Sequence, residues 1–355
     1  MVNAKSLVYF AALIGGLALG QSKASACDLT ISPGTDINGT LAGMGSGKLC
    51  LNPGTYNSTT PIVVRDNQTV AGGTGNKSDV IVRTSSDHRA FIMGNHSRLQ
   101  HVTVTSSFSS PANWPRYLIS AESKTNITIW NTDLSRGGII VGLFESSAVD
   151  LASNSISQIG DPNDDVPAPS IWIRGGSNIK VHYGTVTGWG PGNVIPSGPF
   201  AGSLDGDGTI QCTRGVLTGG GSGPLATNIE IIGTNMRDIG TGAFYLNGCD
   251  DAIVRNLYIW DSTGWAIDAP CSPGLEVKNV TIKRSGRGSI YFSEAQSGPG
   301  TFESNSFFQG NLSGVADCAG INVHNTPSNI IQFGNTIDSG TLVCARTVAP
   351  PGTCN

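Results

Sequence analysis

Hydrophobic residues recur along this chain in short groups that share one pattern. The pattern is an apolar residue, any residue, a second apolar residue, a small or polar residue and then a third apolar site. It recurs in four segments: "TNITIWNTDLSR" from Thr125, "TNIEIIGTNMRD" from Thr227, "DAIVRNLYIWD" from Asp251 and "GLEVKNVTIKR" from Gly274. The last three segments are in register at intervals of 23 residues, as Ile231, Val254 and Val277 show. Alternating β-branched residues between turns of Gly, Asn, Ser and Asp predict short β-strands rather than helices.

The period of the repeat distinguishes two all-β architectures. A β-sandwich also repeats its strands, at intervals of about 8–12 residues. Copies of equal length in strict register favour a solenoid, in which coils stack about 4.8 Å apart and the inward apolar residues form one continuous core. The sequence therefore predicts an all-β, single-domain right-handed parallel β-helix with coils of about 22–27 residues and with disulfides.

Two segments depart from the regular coils. Residues 106–116 and, above all, residues 188–226 are rich in Gly and Pro and have no repeat. Long loops in compact domains are usually either functional or disordered. We predict that residues 27–355 form the β-helix domain, with a long loop insertion at 188–226 that forms a wall of a groove beside the stacked strands.

The amino end has the pattern of a secretion signal. Lys5 precedes the apolar run "LVYFAALIGGLALG", and Ala24, Ser25 and Ala26 are the small residues that a signal peptidase requires. The apolar run is too short for a membrane span with ordinary flanks. We interpret residues 1–26 as a signal peptide and expect a secreted, extracellular protein. Cys27 directly after the cut leaves a bacterial lipoprotein as the alternative, although Ala24 stands where that signal has leucine.

All eight cysteines follow the predicted signal. An even number of cysteines in an oxidising compartment indicates disulfides rather than metal sites. Cys212 and Cys354 have no partner that the register supports. The spacing of the coils predicts three bridges between neighbouring coils: Cys27–Cys50, Cys249–Cys271 and Cys318–Cys344.

Composition narrows the range of partners. Only 13% of the residues are charged, the net charge is −4, and no cluster of Lys and Arg occurs. This argues against nucleic acid and anionic membranes as partners. Eight Asn-x-Ser/Thr sequons, which permit N-glycosylation, begin at Asn38, Asn57, Asn67, Asn76, Asn95, Asn126, Asn279 and Asn311.

The register also brings charged residues together on successive coils. Two positions after the third apolar site stand Asp238, Asp261 and Arg284, and one position earlier stand Arg237, Trp260 and Lys283. Two carboxylates about 5 Å apart share a proton or bind a cation, and Ca²⁺ prefers such oxygen ligands. Alternatively, these residues are solvated charges whose salt bridges contribute less than about 1 kcal/mol each.

Asp268 is a second candidate for a functional residue. With Gly242, Gly264 and Gly288 taken as the starts of equivalent strands in three successive coils, Asp268 falls in an apolar column with Leu246 and Phe292. A carboxylate in an apolar column is either a buried, hydrogen-bonded group or part of a functional site.

The chain resembles a known superfamily. The repeats and "LNPGTY" at Leu51–Tyr56 are similar to the right-handed parallel β-helix, or pectate-lyase-like, superfamily of secreted polysaccharide-active proteins, over most of residues 27–345. In its uronate lyases, carboxylates hold Ca²⁺ against the acid group of the substrate, and an Arg or Lys removes the C5 proton. The resemblance implies Asp238 and Asp261 as Ca²⁺ ligands, Arg284, Lys283 and Asp261 as catalytic residues, and Arg237, Trp260 and Asp268 as substrate-binding residues.

Motifs of individual families are mostly absent. A polygalacturonase would carry its acidic motifs on neighbouring coils, but Asn131-Thr132-Asp133 and Asp250-Asp251 lie more than a hundred residues apart, and Gly286-Arg287-Gly288 lacks the histidine of that family. The histidine-bearing element of the main pectate lyase family is missing. The "DPND" of Asp161–Asp164 is similar to a turn of alginate C5-epimerases, with one mismatch.

We therefore expect a monomeric, secreted polysaccharide lyase that cleaves an acidic polysaccharide by β-elimination. The alternatives are a C5-epimerase or a glycoside hydrolase on the same class of substrate, or a non-catalytic β-helix protein that binds a glycan or forms an extracellular structure.

Overall fold

The computed structural model describes residues 26–86, 89–109, 114–159, 169–188, 209–213, 223–239, 242–262, 264–293, 299–310, 318–324 and 330–346. The predicted signal peptide lies outside these ranges except for Ala26. One α-helix, α1 (Ile37–Met44), and one short 3₁₀ helix (Lys77–Asp79) occur in the described ranges. Neither helix has the length and apolar character needed to cross a membrane.

Strands make up most of the described chain. The first half of the chain contains β1 (Leu29–Ile31), β2 (Gly47–Leu51), β3 (Gly54–Ser58), β4 (Ile62–Val64), β5 (Gln68–Gly72), β6 (Val80–Thr84), β7 (Arg89–Met93), β8 (Arg98–Gln100), β9 (Thr103–Ser106), β10 (Tyr117–Glu122), β11 (Thr125–Trp130), β12 (Asp133–Gly137), β13 (Ile139–Phe144), β14 (Ser147–Ala152), β15 (Ser155–Ile159), β16 (Ile171–Arg174) and β17 (Ser177–His182). The second half contains β18 (Thr185–Thr187), β19 (Ile210–Thr213), β20 (Ala226–Ile232), β21 (Asn235–Ile239), β22 (Phe244–Asn247), β23 (Cys249–Asp250), β24 (Ile253–Ser262), β25 (Trp265–Cys271), β26 (Glu276–Ser285), β27 (Gly288–Phe292), β28 (Thr301–Glu303), β29 (Ser306–Phe308), β30 (Ile321–His324), β31 (Ile331–Phe333), β32 (Thr336–Ile337) and β33 (Val343–Arg346).

Each coil supplies one strand to a short sheet and then a pair of strands to a bent sheet. The short sheet has the order β4-β7-β10-β13-β16-β19-β22-β25-β27-β30-β33. In the bent sheet, the strand that follows the short sheet belongs to the first arm, as β14 does, and the next strand belongs to the second arm, as β15 does. Neighbouring coils pair in parallel throughout the described strands. The protein is a right-handed parallel β-helix, as the sequence predicts.

The core is a set of stacked apolar columns inside the coils. The predicted register is confirmed, since Ile231 pairs with Val254 and Val254 pairs with Val277. All three side chains are buried. Complete burial stabilises such a side chain by about 1.5–3 kcal/mol relative to exposure, so the regular alternation holds the solenoid together. At the amino end, α1 covers the first coils with its buried residues Ile37 and Leu41.

Buried asparagines satisfy the backbone at the corner between the two arms. The Asn154 side chain donates to the Ile129 carbonyl and accepts from the Thr132 amide. Asn305 repeats this arrangement, donating to the Val277 carbonyl and accepting from the Val280 amide. Buried backbone groups need such partners, so these amides allow the chain to turn inside the apolar interior.

The disulfides confirm two predicted bridges and correct the third. Cys27–Cys50 and Cys318–Cys344 are present. Cys249 is bonded to Cys212 instead of Cys271, with the Cα atoms 6.1 Å apart.

The prediction for Cys249 is wrong because this residue and Cys271 occupy different points of the coil. Cys249 begins the first arm, where β23 pairs with β20. Cys271 ends β25 of the short sheet, opposite Asn247, after a register shift. Both Cys212 and Cys249 are buried in the core. Cys354 lies outside the described residues.

A strand divides the predicted insertion at 188–226. Residues 210–213 form β19, which pairs with β16 on one side and β22 on the other. The pattern Ile-Gln-Cys-Thr explains this strand, because Ile210 and Cys212 point into the core and are buried. The segment therefore contains the short-sheet strand of a coil, with one connection before it and one after it.

Candidate functional site

The predicted charged column exists at the corner where the second arm leads back to the short sheet. Arg237 pairs with Trp260, and Trp260 pairs with Lys283. The next residue of each strand has a left-handed backbone, with φ of 54° at Asp238, 60° at Asp261 and 63° at Arg284. We call Arg237, Asp238, Trp260, Asp261, Lys283 and Arg284 the corner cluster.

Most charges of the corner cluster contact one another. The Arg284 Nε atom lies 2.5 Å from Asp261 Oδ1, and Arg237 Nε lies 3.9 Å from Asp238 Oδ2. Lys283 Nζ lies 4.8 Å from the centre of the half-exposed Trp260 ring, a cation–π contact. Each basic side chain of the cluster therefore already has a carboxylate or the negative face of a ring as its partner.

Asp261 is the corner residue with a perturbed acidity. Burial raises the pKa of its carboxyl above the ordinary value, and the Asp238 charge raises it further, while Arg284 and Lys283 lower it. The net increase means that the ion pair with Arg284 does not fully offset the loss of water around the carboxylate.

Calcium at Asp238 and Asp261 remains a prediction from the sequence. Ca²⁺ takes about six to eight oxygen ligands. In the described ranges, no group of three or more His, Cys, Asp or Glu side chains is arranged to hold a metal ion. Arg284 already contacts Asp261 Oδ1, so a cation there would compete with the guanidinium.

A second cluster lies on the outer face of the short sheet. Trp172, Gln211, Tyr245 and Asp268 stand opposite one another on β16, β19, β22 and β25. A parallel row on the same face contains Arg174, Thr213 and Asn247. All seven side chains are partly exposed. We call these seven residues the outer-face window.

The predicted neighbours of Asp268 are wrong by one residue. Asp268 stands opposite Tyr245 and Tyr291, not opposite Leu246 and Phe292. Because successive side chains of a strand point to opposite faces, this difference moves Asp268 from the core to the outer face. The alignment of Gly264 with Gly242 and Gly288 causes the error, because the structure pairs Trp265, not Gly264, with Gly288.

Hydrogen bonds and ring contacts fix the side chains of the window. Trp172 Nε1 donates to Thr213 Oγ1 at 3.1 Å, and Asn247 Nδ2 donates to Tyr245 Oη at 2.9 Å. The Arg174 guanidinium carbon lies 5.6 Å from the centre of the Trp172 ring. The window is therefore a preorganised surface.

Arg174 differs from the corner arginines in its partners. Its guanidinium lies over the Phe144 ring at 4.7 Å, and no carboxylate among the described residues forms an ion pair with it. Its buried Nε has no hydrogen-bond partner in that part of the chain. A buried donor without a partner is costly, which makes Arg174 a candidate for contact with a ligand.

Tyr245 and Asp268 form an acid and base pair on adjacent strands. Burial raises the pKa of the Tyr245 hydroxyl, the hydrogen bond from Asn247 lowers it, and the Asp268 charge raises it. The phenol therefore keeps its proton at neutral pH. A protonated phenol beside a carboxylate offers one proton donor and one proton acceptor to a bound molecule.

Buried aromatic residues mark both ends of the window along the solenoid. Tyr117 and Phe144 are buried on the amino-terminal side, with ring centres 5.3 Å apart. On the carboxy-terminal side, Trp265 and Tyr291 pack together outside the main core, with ring centres 5.6 Å apart. The exposed stretch spans four strands, or about 14 Å at the usual spacing.

Sequence reasoning missed most of the window. It singled out Asp268 but not Trp172, Arg174, Tyr245 or Asn247. A search for aromatic and polar residues at the outward positions of the short sheet could have found them, because they alternate with the buried positions. The "DPND" turn and most of the predicted insertion lie outside the described residues.

Comparisons with known proteins address the fold. No protein-family model matches the sequence, and no curated protein matches it. The chain is similar to the surface protein and adhesin PfbA of Streptococcus pneumoniae, with a TM-score of 0.61 and 11% identity over 89% of this chain and 97% of that chain. It is also similar to an alginate lyase from Paenibacillus sp., with a TM-score of 0.56 and 14% identity over 89% of this chain and 97% of that chain.

A third solved structure shares the fold. The Dettilon tailspike protein has a TM-score of 0.55 and 14% identity, over 89% of this chain and 68% of that chain. These similarities confirm the expected resemblance to parallel β-helix proteins at the level of architecture.

Proposed function

We propose that this protein is a carbohydrate-active β-helix protein that binds an acidic polysaccharide in the outer-face window and cleaves it by β-elimination. The observation that carries the proposal is Arg174, a cation held on aromatic rings without a carboxylate partner in the described chain, on the same face as the Tyr245–Asp268 pair. We further propose that the protein acts outside the cell. The three described disulfides support this, because disulfides form and persist in oxidising environments.

Arg174 fits the acid group of a uronate chain. A guanidinium binds a carboxylate through two parallel hydrogen bonds, which fixes orientation as well as adding binding energy. Trp172 provides a partly exposed ring on which the C–H face of a sugar can pack. Arg174 and Tyr245 are two strands apart, about 9.6 Å, so Arg174 binds a sugar next to the reacting one.

The Tyr245–Asp268 pair supplies the groups that β-elimination needs. The Asp268 carboxylate takes the C5 proton, and the electron pair of that bond forms the C4–C5 double bond. The C4–O bond breaks, and the Tyr245 hydroxyl protonates the leaving oxygen. Solvent then returns the proton from Asp268 to Tyr245, which restores the starting state.

The strand composition favours elimination over hydrolysis. Glycoside hydrolysis usually requires two carboxyl groups on either side of the bond, about 5–9.5 Å apart. The strands beside Asp268, β22 (Phe244–Asn247) and β27 (Gly288–Phe292), contain no Asp or Glu.

Within this proposal the corner cluster takes no part in the proton transfer. Arg284 contacts Asp261 and Lys283 lies over the Trp260 ring, so both side chains already have partners. Arg284 or Lys283 as the base, with Asp261 in a catalytic role and Ca²⁺ nearby, is the competing assignment from the family resemblance.

A second candidate function is non-catalytic binding of an acidic glycan. The half-exposed Trp260 ring favours it, because an aromatic face can bind a sugar without moving a proton. The similar solved structures include both an alginate lyase and an adhesin, so the fold is compatible with either candidate.

The deciding experiment measures unsaturated chain ends by ultraviolet absorbance. Polygalacturonate, alginate and glycosaminoglycans are incubated with the protein, with Ca²⁺ or with a chelator. The proposal expects new absorbance that Asp268→Asn and Tyr245→Phe abolish and that the matched control Asp261→Asn keeps. Loss in Asp261→Asn alone would favour the corner assignment, and chelator sensitivity would support the calcium site.

Two further outcomes separate the alternatives. Binding to a uronan without any cleavage would favour the second candidate function, non-catalytic binding of an acidic glycan. Incorporation of deuterium at C5 in heavy water, without chain cleavage, would identify a C5-epimerase.

A further inference from the structure

Two strongly exposed aromatic side chains lie far from the proposed site. Trp130 is 42% exposed and Tyr183 is 66% exposed. Trp130 ends β11 in the first arm, and Tyr183 follows β17 at the turn into the second arm. This corner joins the two arms and does not touch the short sheet, so the outer-face window cannot account for these residues.

The register places a gap between the two rings. Trp130 pairs with Ala152, and Ala152 pairs with His182. The intervening coil has only the small side chains of Ala152 and Ser153 at this point. Trp130 and Tyr183 therefore stand about two coil spacings apart, about 9.6 Å, with a shallow floor between them. We call Trp130, Ala152, Ser153, His182 and Tyr183 the arm-corner notch.

Neighbouring groups hold both rings in place. The Trp130 ring packs edge-on against the His101 ring, with centres 4.6 Å apart. Tyr183 lies over Gly233, where an added Cβ would come within 2.9 Å of the Tyr183 ring. Glycine at this position thus allows the ring to lie close to the backbone of the next coil. The rings are exposed yet supported, which reduces the entropy lost when a ligand packs on them.

The residues that form the notch offer polar groups but no unpaired charge. His182 Nε2 lies 2.5 Å from Asp150 Oδ1, so these two groups satisfy each other. His101 contacts the Asn131 amide through Nδ1 at 2.9 Å. Burial lowers the pKa of the His101 ring, and the nearby Lys48 charge lowers it too, which keeps the ring neutral at pH 7. This differs from the outer-face window, where Arg174 has no acidic partner in the described chain.

We propose that the arm-corner notch is a second, non-catalytic binding site for a neutral glycan chain, with sugar rings packing on Trp130 and Tyr183. Aromatic faces match the C–H faces of sugars, and Ser153, Asn131 and His182 match their hydroxyl groups. Because the five residues of the notch carry no unpaired charge, they select a neutral chain over a uronate chain. The site would hold the protein on a neutral polysaccharide while the outer-face window faces another polymer.

The test is affinity electrophoresis in gels that contain arabinoxylan free of uronic acid, mixed-linkage β-glucan or galactomannan, each a neutral polysaccharide. Wild-type protein is expected to be retarded in at least one gel. The double variant Trp130→Ala/Tyr183→Ala is expected to bind about 10-fold more weakly or worse, because both packing surfaces are gone. Ala152→Arg keeps both rings but fills the floor, and it is expected to lose retardation as well.

Controls make each outcome decisive. Phe333→Ala removes an aromatic residue that is 53% exposed on the last coils, and it should leave retardation unchanged. Thermal unfolding checks that each variant is folded. No retardation of the wild type in any neutral gel, or equal retardation of the double variant, overturns the proposal.

Two further readouts distinguish a glycan site from a contact between two copies of the chain and from the proposed lyase site. A wild-type dimer that the double variant dissolves in sedimentation would show that a second copy occupies the notch, which also overturns the proposal. Cleavage or binding of uronans should be the same in wild type and double variant, so failure here is distinguishable from failure of the proposed function.

Discussion

The corner cluster and the outer-face window contain similar residue types, but their arginines differ in whether they have an acidic partner. In the corner cluster, Arg284 and Asp261 face each other at 2.5 Å. In the window, Arg174 lies on two aromatic rings and has no acidic partner among the described residues. A paired charge is already satisfied, and a ligand must first break the pair. A half-buried cation without an acidic partner gains most from binding a ligand. Whether a charged side chain is paired is therefore a better guide to function than its position in a column of charged residues.

The largest expected effect separates the two regions by activity. Asp268→Asn and Tyr245→Phe should each reduce the rate of uronan cleavage by about 10²–10⁴-fold, because each removes one partner of the proton transfer. The rate of formation of unsaturated ends measures this. Asp261→Asn, the matched carboxylate of the corner cluster, should change the rate by less than about 10-fold, and a larger loss would reverse the assignment.

Arg174→Ala should weaken substrate binding in the window. Loss of a charged hydrogen-bonding partner costs about 1.5–3 kcal/mol, which raises KM about 10- to 100-fold on an acidic polymer. Arg174→Lys should restore only part of the affinity, because an ammonium lacks the planar fork. The control is Arg237→Ala in the corner cluster, which removes a side chain that is 68% exposed. An equal effect of both alanine variants would mean that general charge, not the window, binds the chain.

The ion pair of the corner cluster should matter little for stability. Arg284→Met removes a partner that is 47% exposed, and surface pairs contribute about 0–1 kcal/mol. Denaturant unfolding measures the change in the free energy of unfolding. A loss of several kcal/mol would show that Arg284 is a structural residue and not a replaceable surface charge.

The smallest effect concerns the acidity of Asp261. Burial, aided by the Asp238 charge, raises its pKa, and Arg284 opposes the increase. Arg284→Met should therefore raise the Asp261 pKa further, and Asp238→Asn should lower it. Titration of the side-chain carboxyl by NMR measures both shifts. Identical values in the wild type and the two variants would contradict the close contacts of the corner cluster.

The fold was predictable because each coil repeats its inward residues. Ile231, Val254 and Val277 occupy one column, and a fixed period leaves no other alignment with all three inside. The corner cluster was predictable for the same reason, since it follows the second arm without an interruption. In regular coils, the sequence interval between equivalent residues thus predicts which side chains are neighbours in the structure.

The window follows the same interval only in part: Tyr245, Asp268 and Tyr291 stand opposite one another 23 residues apart, whereas long connections separate Trp172, Gln211 and Tyr245 in sequence. An alignment on Gly242, Gly264 and Gly288 departs from this interval by one residue, which exchanges the faces of a strand and puts Asp268 inside. The Cys212–Cys249 bridge was missed on similar grounds. It joins a short-sheet strand to the beginning of a first-arm strand, whereas the spacing of the cysteines predicts bridges between equal points of neighbouring coils.

The long strands β24 and β26 have a consequence for how the chain reaches its fold. Each runs without a break through both arms, and they pair along most of their length. Loop closure is fastest where little chain separates the pairing segments, and these coils are separated by one short-sheet strand each. We expect folding to nucleate between Ile253 and Ser285 and to spread outward coil by coil, so that the amides of this segment exchange with solvent last.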